Sequence, residues 1–424
     1  MVFPPLHRTF VGNMTKTIIG FDAKRLVRNA TGLGNYGRTL VNDMARACGD
    51  DWQLRLYAPD PGHDHLRQRI DPSPRIAFAY PDATTALQRS LWRIGQGLVR
   101  QLQRDGVQLF HGLSGELPRG ISQTGIKSVV TIHDLIFMRH PEYYHWLDAK
   151  IYAWKFRYTC READRIIAIS ERTKQDIIEL GHVPAEKIDV IYQSCSPRFA
   201  TGPMAEINST DTEIIGAEKK FSAPEKNFSN AENKTNGAVS ETNGAMSRVR
   251  AKYGLPRRFI LSVGTIERRK NLLLPIRALA SLPADIHLVA VGRQTAYTRE
   301  FPADERIHLL SGVSDEELAA LYQMAEVFVY PSRYEGFGIP IIEAIHSGLP
   351  VVACTGSCLE EAGGPDCLYV GPDDTAAMAR AIAQLLKGSE GRDERIRRSQ
   401  KYVRRFEGND VAAQVLQTYS RLLG

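Results

Sequence analysis

The residues best placed to do chemistry lie in Tyr330-Pro331-Ser332-Arg333-Tyr334-Glu335-Gly336-Phe337-Gly338-Ile339-Pro340-Ile341-Ile342-Glu343. An apolar strand ends, a glycine-bracketed loop follows, and Pro340 suits the first turn of a new helix. Glu343 is then expected in that first turn, where the helix dipole favours its ionised form. Two carboxylates can form a hydrolase pair, but such a pair must flank a single bond at ~5–9.5 Å. One carboxylate in a loop and one on a helix suit the binding of hydroxyls better.

A second stretch, Val263-Gly264-Thr265-Ile266-Glu267-Arg268-Arg269-Lys270-Asn271, is a strand, a glycine turn and a basic triplet. Arg can bind a diphosphate bidentately and Lys can meet it as a point charge. In Val130-Thr131-Ile132-His133-Asp134 a strand runs out into histidine at its carboxyl end, where open α/β sheets bind ligands and a neutral imidazole can bond a sugar hydroxyl. Gly32-Leu33-Gly34-Asn35-Tyr36-Gly37 has the glycine spacing of a dinucleotide loop. The context speaks against a nicotinamide reading, because Asp22 to Thr31 intervene after the first strand and Tyr57-Ala58-Pro59 closes the second without an acid. Such glycines still let backbone N–H groups approach a phosphate or sugar. No Asp-x-Asp occurs, so the expectation is a site without metal or other cofactor, in which Arg, Lys and helix dipoles meet the diphosphate charge.

The elements that must hold these groups alternate in type. Ile18–Phe21, Leu54–Tyr57, Leu109–His111, Ser128–Ile132 and Arg165–Ile169 read as buried strands, separated by helical patterns at Tyr36–Ala47, Leu87–Gln103, Trp146–Arg161 and Glu171–Glu179. The alternation restarts with Phe259–Val263, Ile286–Val291, Ile307–Leu309, Val327–Tyr330, Val351–Ala353 and Leu368–Val370. The class is α/β, with two doubly wound, Rossmann-like domains facing each other across a cleft. The expected organisation is an extension over 1–16, an acceptor-side domain over 17–200, a polar insertion over 201–247, a donor-binding domain over 248–405, and a C-terminal helix over 406–424 crossing back to the first domain. The insertion is rich in Asn, Glu, Lys, Thr and Ser, and such a composition cannot bury a core.

The chain has 424 residues, 43% hydrophobic and 24% charged, which excludes global disorder and a small disulfide scaffold. Its formal charge of +6 fits phosphate-bearing ligands or an anionic membrane surface and is too weak to indicate nucleic acid. The six cysteines form no Cys-x-x-Cys pair, no run of ~20 apolar residues occurs, and the N-terminus lacks an export signal, with Met14 a second candidate start. Leu87 to Arg104 forms a basic amphipathic pattern, either packed on its own sheet or docked on anionic lipid.

Taken together, GLGNYGR, TIHDL, GTIERRKN, SDEELAALY, YPSRYEGFGIPIIEA and SGLPVVA resemble the retaining GT-B-fold glycosyltransferases of family 4, the mannosyltransferase-like group 1 enzymes. The resemblance implies transfer of a hexose from a nucleotide sugar, with GDP-mannose expected as donor. It assigns Glu335 to donor-sugar hydroxyls, Glu343 to ribose hydroxyls, Arg269 and Lys270 to the diphosphate with Arg268 as a substitute, and His133 to the sugar. Gly32, Gly34, Gly264, Gly336, Phe337, Gly338 and Ile339 are expected around sugar and phosphates, and Val313 beside the base. The implied acceptor is a glycan or lipid-linked saccharide in surface polysaccharide synthesis, the implied place the cytoplasm or the inner face of the cell membrane. Another donor such as UDP-glucose, a GT-B epimerase or phosphorylase, and a nicotinamide oxidoreductase are the alternatives.

Overall fold

Runs such as Phe259–Leu261 and Val327–Tyr330 are buried along their whole length, a demand that only helices on both faces of a sheet can meet. The computed structural model describes residues 16–83, 85–193, 244–406 and 410–424. Residues 1–15 of the expected extension, Cys195, and residues 201–243 of the polar insertion lie outside the described residues.

The first sheet holds β1 (Thr17–Asp22), β2 (Trp52–Tyr57), β3 (Ile76–Ala79), β4 (Leu109–Gly112), β5 (Lys127–Ile132), β6 (Arg165–Ala168) and β7 (Ile188–Val190), in the order β3-β2-β1-β4-β5-β6-β7. The second holds β8 (Arg258–Val263), β9 (Ile286–Val291), β10 (Ile307–Leu310), β11 (Val327–Tyr330), β12 (Val351–Cys354) and β13 (Leu368–Val370), ordered β10-β9-β8-β11-β12-β13. Every pairing is parallel. Strand order reverses at β1/β4 and at β8/β11, and crevices at such switch points receive ligands in open α/β sheets.

Helix Val411–Leu423 leaves the second domain and packs on the first. Val411, Val415 and Tyr419 join Ile19, Phe21 and Leu109 in one core, and the Tyr419 hydroxyl meets Nδ1 of the buried His111.

Three sequence expectations need correction. The first sheet has two strands more than the five expected, the short edge strands β3, whose Ile-Ala-Phe-Ala has no fully buried residue, and β7, where Asp189 interrupts the apolar run. The glycine segment is not a loop but the first turns of helix Gly32–Ala47. The pattern over Leu87–Gln103 breaks at the extended Gly95 into Ala86–Ile94, with no buried residue, and Gln96–Arg104, which buries Leu98, Val99 and Leu102.

Candidate active site

The site lies where β8 and β11 run out beside each other. Gly264 follows β8 with φ of 138°, and a side chain on the adjacent Gly292 would strike its carbonyl oxygen. This tight crossing lays the Arg268–Lys270 turn across the sheet end. Arg269 and Lys270 then meet Glu335, five residues beyond the end of β11. Arg269 Nη1 stands 2.9 Å from Glu335 Oε2 and donates to the Tyr334 carbonyl at 2.7 Å, while Nη2 reaches Glu267 at 2.8 Å. Lys270 Nζ stands 2.5 Å from Glu335 Oε1 and donates to the Tyr330 hydroxyl at 2.7 Å. That Oε1 is buried and receives no well-directed hydrogen bond, so it faces Lys270 as an ion pair with acceptor capacity in reserve.

Burial opposes all three charges, and their mutual attraction overrides it. Desolvation alone would raise Glu335, yet Lys270 and Arg269 hold it down at about 2. Burial likewise opposes the charge on Arg269 and Lys270, and Glu335 keeps both protonated. Two cations and one anion leave one positive charge in a desolvated pocket, before the outer Glu267 is counted.

The opposite wall comes from the first domain. His133 follows β5, its Nε2 2.9 Å from the Leu113 carbonyl, an acceptor that places the proton on Nε2. Nδ1 then accepts from Gln193 Nε2 at 3.2 Å, and the ring stands edge-on to Tyr36. Burial pushes the imidazole down to about 4, so it is neutral at pH 7. The walls touch at Gly336, where a Cβ would lie 2.1 Å from the His133 carbonyl oxygen. Ser170 Oγ and Thr173 Oγ1 donate to the Gly336 carbonyl at 2.7 and 3.2 Å. Glu361 of the second domain accepts from the N–H groups of Glu171 and Arg172, at 2.8 and 3.3 Å, capping helix Glu171–Gly181 of the first.

Sequence reasoning missed this clasp. Its members include Tyr334, whose hydroxyl accepts from Arg172 Nε at 2.9 Å and donates to the buried Asp176, itself paired with Arg139 at 2.6 Å. No local motif signals such contacts, since the partners are separated by 158 to 190 residues.

Not every expected site residue joins the centre. Arg268 turns away to pair with Glu300 at 2.7 Å and lies over the Tyr297 ring, so it cannot substitute for Arg269 in this arrangement. Glu343 lies beyond the first turn of helix Ile339–His346, bonded by the Tyr322 hydroxyl at 3.0 Å. Burial pushes its carboxyl up to about 7 against the pull of that bond, contrary to the ionised form expected from the dipole. Asp315, close after Val313, adds to the rise. The Phe337 side chain packs inward against Tyr192 and Phe406, which leaves only its backbone for a ligand. Gly338, at φ of 122°, caps the helix that Ile339 opens. Gly34 serves packing, because a Cβ there would strike the Asn29 carbonyl at 1.9 Å, whereas Gly32 faces open space.

Residues 30–196 match the sequence pattern of Glycosyltransferase Family 4, and residues 247–402 that of Glycosyl transferases group 1. The O-antigen chain mannosyltransferase B of Escherichia coli is 26% identical over 92% of this chain and 96% of its own length. The serotype-specific mannosyltransferase WbdA of Escherichia coli is 25% identical over 61% of this chain and 29% of its own length. Among solved structures, the sucrose-phosphate synthase of Thermosynechococcus elongatus superposes with a TM-score of 0.69 at 20% identity, over 96% of this chain and 99% of that one. The Anabaena Alr3699/HepE protein in complex with UDP and glucose gives 0.65 at 16% identity, over the same shares of 96% and 99%. The fold is GT-B.

Proposed function

Because the chain belongs to the group 1 glycosyltransferases of family 4, we propose that this hexosyltransferase moves mannose from GDP-mannose, with retention, to a glycan or lipid-linked acceptor in surface polysaccharide synthesis. The observation that carries the reading is the buried meeting of Arg269 and Lys270 with Glu335 at the β8/β11 switch point. Breaking the bond between the anomeric carbon and the phosphate oxygen sends the electron pair to the diphosphate. Fixed cations aimed at that growing charge lower the barrier, and a desolvated setting enlarges their effect. The acceptor oxygen attacks the same face, and its proton passes to the departing phosphate oxygen. His133 does not serve as base in this scheme. Its Nε2 proton is held by Leu113, and Nδ1 exchanges Gln193 for a sugar hydroxyl.

Mannose is supported by the mannosyltransferase relative that aligns along nearly the whole chain. Arg269 and Lys270 supply the charge that a divalent ion would otherwise supply, so the proposed reaction needs no metal. Glu335 binds hydroxyls of the donor sugar, Glu343 those of the ribose, and the enzyme works at the inner face of the cell membrane.

A panel of GDP-, UDP- and dTDP-sugars, scored by calorimetric binding and slow hydrolysis with and without EDTA, tests this. GDP-mannose should bind most tightly and turn over in EDTA. Preference for UDP-glucose would overturn the sugar assignment, and loss of turnover in EDTA the metal independence.

A further inference from the structure

Among the described residues, the exposed large hydrophobic side chains fall in two segments of the first domain. Leu87, Leu91 and Ile94 stand on helix Ala86–Ile94, and Trp146, Leu147, Ile151, Tyr152 and Trp154 on helix Trp146–Glu162, with Trp146 62% and Leu87 69% exposed. Among the described residues the second domain exposes none.

The two segments form one face. Arg119 donates its backbone N–H to the Ile94 carbonyl at 3.3 Å, and its guanidinium lies 5.9 and 5.8 Å from the ring centres of Trp154 and Tyr158. Beneath the face, Arg93 of one helix and Lys155 of the other converge on Glu116 at 2.6 and 3.0 Å. Arg93 also pairs with Asp22 and is nearly buried, so it is a strut and not a surface cation as the sequence pattern implied.

The charge around this apolar face is one-sided. Apart from the strut Arg93, residues 86–104 carry Arg89, Arg100 and Arg104 and no acid, and apart from Lys155, which is paired with Glu116, helix Trp146–Glu162 carries Lys150, Arg157 and Arg161 against Asp148 and Glu162. Lys150 and Arg161 lie over the rings of Trp146 and Tyr158. Trp and Tyr beside Arg and Lys, over protruding aliphatic side chains, is the composition of a helix face that settles into the headgroup boundary of an anionic bilayer. No helix among the described residues is long and apolar enough to cross one.

Where this face nears the cleft, a groove of about 750 Å³ opens between Phe137, Met138, Tyr144, Trp146, Lys150 and Arg157. Tyr144 in its wall lies within electrostatic reach of Asp134 and Arg269, while Trp146 and Lys150 belong to both the groove and the face.

We propose that the face formed by helices Ala86–Ile94 and Trp146–Glu162 docks the enzyme on an anionic phospholipid surface, with the groove turned to receive a saccharide carried on that surface. The inference deepens the lipid-linked acceptor reading and rests on it for the groove alone; docking is tested without donor or acceptor. Flotation of the full chain with vesicles of phosphatidylcholine, with and without ~30% phosphatidylglycerol, should show binding only to the anionic vesicles, falling with salt, together with a blue shift of tryptophan emission. Leu91→Ser/Trp154→Ser should cut partitioning at least tenfold, and Arg119→Glu/Arg161→Glu should cut it comparably, while the melting temperature and hydrolysis of soluble donor stay unchanged. Wild-type protein that ignores anionic vesicles, or variants that bind as before, would overturn the proposal. So would a dimer in sedimentation velocity that Leu91→Ser/Trp154→Ser converts to monomer, since the face would then belong to a second copy. Failure of the donor panel with vesicle binding intact would sink the sugar assignment and leave docking standing.

Discussion

The two sheet ends that face each other are built on opposite principles. The second domain brings charge into a buried place and satisfies it internally, with Arg269 and Lys270 closing on Glu335. The first domain offers neutral groups: an imidazole held uncharged by burial, a carbonyl at His133, and the hydroxyls of Ser170 and Thr173. Their outer surfaces differ too, since among the described residues the large exposed apolar side chains all belong to the first domain. On the proposed reading, one half stabilises a diphosphate that changes charge during reaction. The other is arranged to close over it and, as proposed, to meet an acceptor from a lipid surface.

The contrast breaks most sharply at Lys270. Lys270→Met should lower kcat about a thousandfold, the scale of losing a fixed group aimed at transition-state charge. It should also lower stability, because Glu335 is left half-compensated in a buried site. Single-turnover kinetics beside thermal melts check the split, and His133→Asn should cost far less if the first domain contributes positioning rather than charge.

Gly336→Ala comes next. The added methyl would lie 2.1 Å from the His133 carbonyl and must hold the walls apart. A shift of about 1 Å at a reacting centre can cost about a hundredfold in rate. The expected result is a drop of that order in kcat, near-normal binding of free nucleotide diphosphate, and a larger radius of gyration by small-angle scattering.

The carboxylates sharpen the comparison within the second domain, because their linkage to pH has opposite signs. Glu343 in the folded chain holds its proton up to about 7, against an ordinary 4.5. The unfolded chain releases that proton first, so Glu343 favours folding below 4.5 and loses this contribution as pH rises through 7, by about 3 kcal/mol. Glu335, held at about 2, contributes above its ordinary 4.5 and loses the contribution as pH falls through 2. Urea melts between pH 4.5 and 7.5 should show Glu343→Gln flattening the neutral-side decline; an unchanged slope would refute the assignment.

Tyr334→Phe should have the smallest effect. Removing the hydroxyl between Arg172 and Asp176 should cost about 1 kcal/mol in the melt. A modest fall in kcat with unchanged nucleotide affinity would show that the clasp acts on closure.

Much was legible before any coordinates. The central strands announced themselves because burial on both faces requires unbroken apolar runs. Edge strands β3 and β7 did not, being only four and three residues long, with Asp189 breaking the apolar run of β7. At the site, Arg269, Lys270 and Glu335 were named from the motifs that hold them. Arg268 was named with them, although a three-residue turn sends neighbouring side chains in different directions, and this one ends at Glu300. Gly32 and Gly34 looked alike in sequence, yet only Gly34 has a backbone carbonyl in the way of a side chain.

The sequence by itself determined the two doubly wound sheets, the family and the motifs that hold Arg269, Lys270 and Glu335, because periodicity and local motifs are properties of adjacent residues. Tertiary structure alone decided that Glu343 sits protonated near neutrality, that Gly336 is the point of closest approach, and that Glu361 and Tyr334 clasp the domains. These depend on desolvation and on contacts between residues far apart in the chain, and neither is written in any local run of residues.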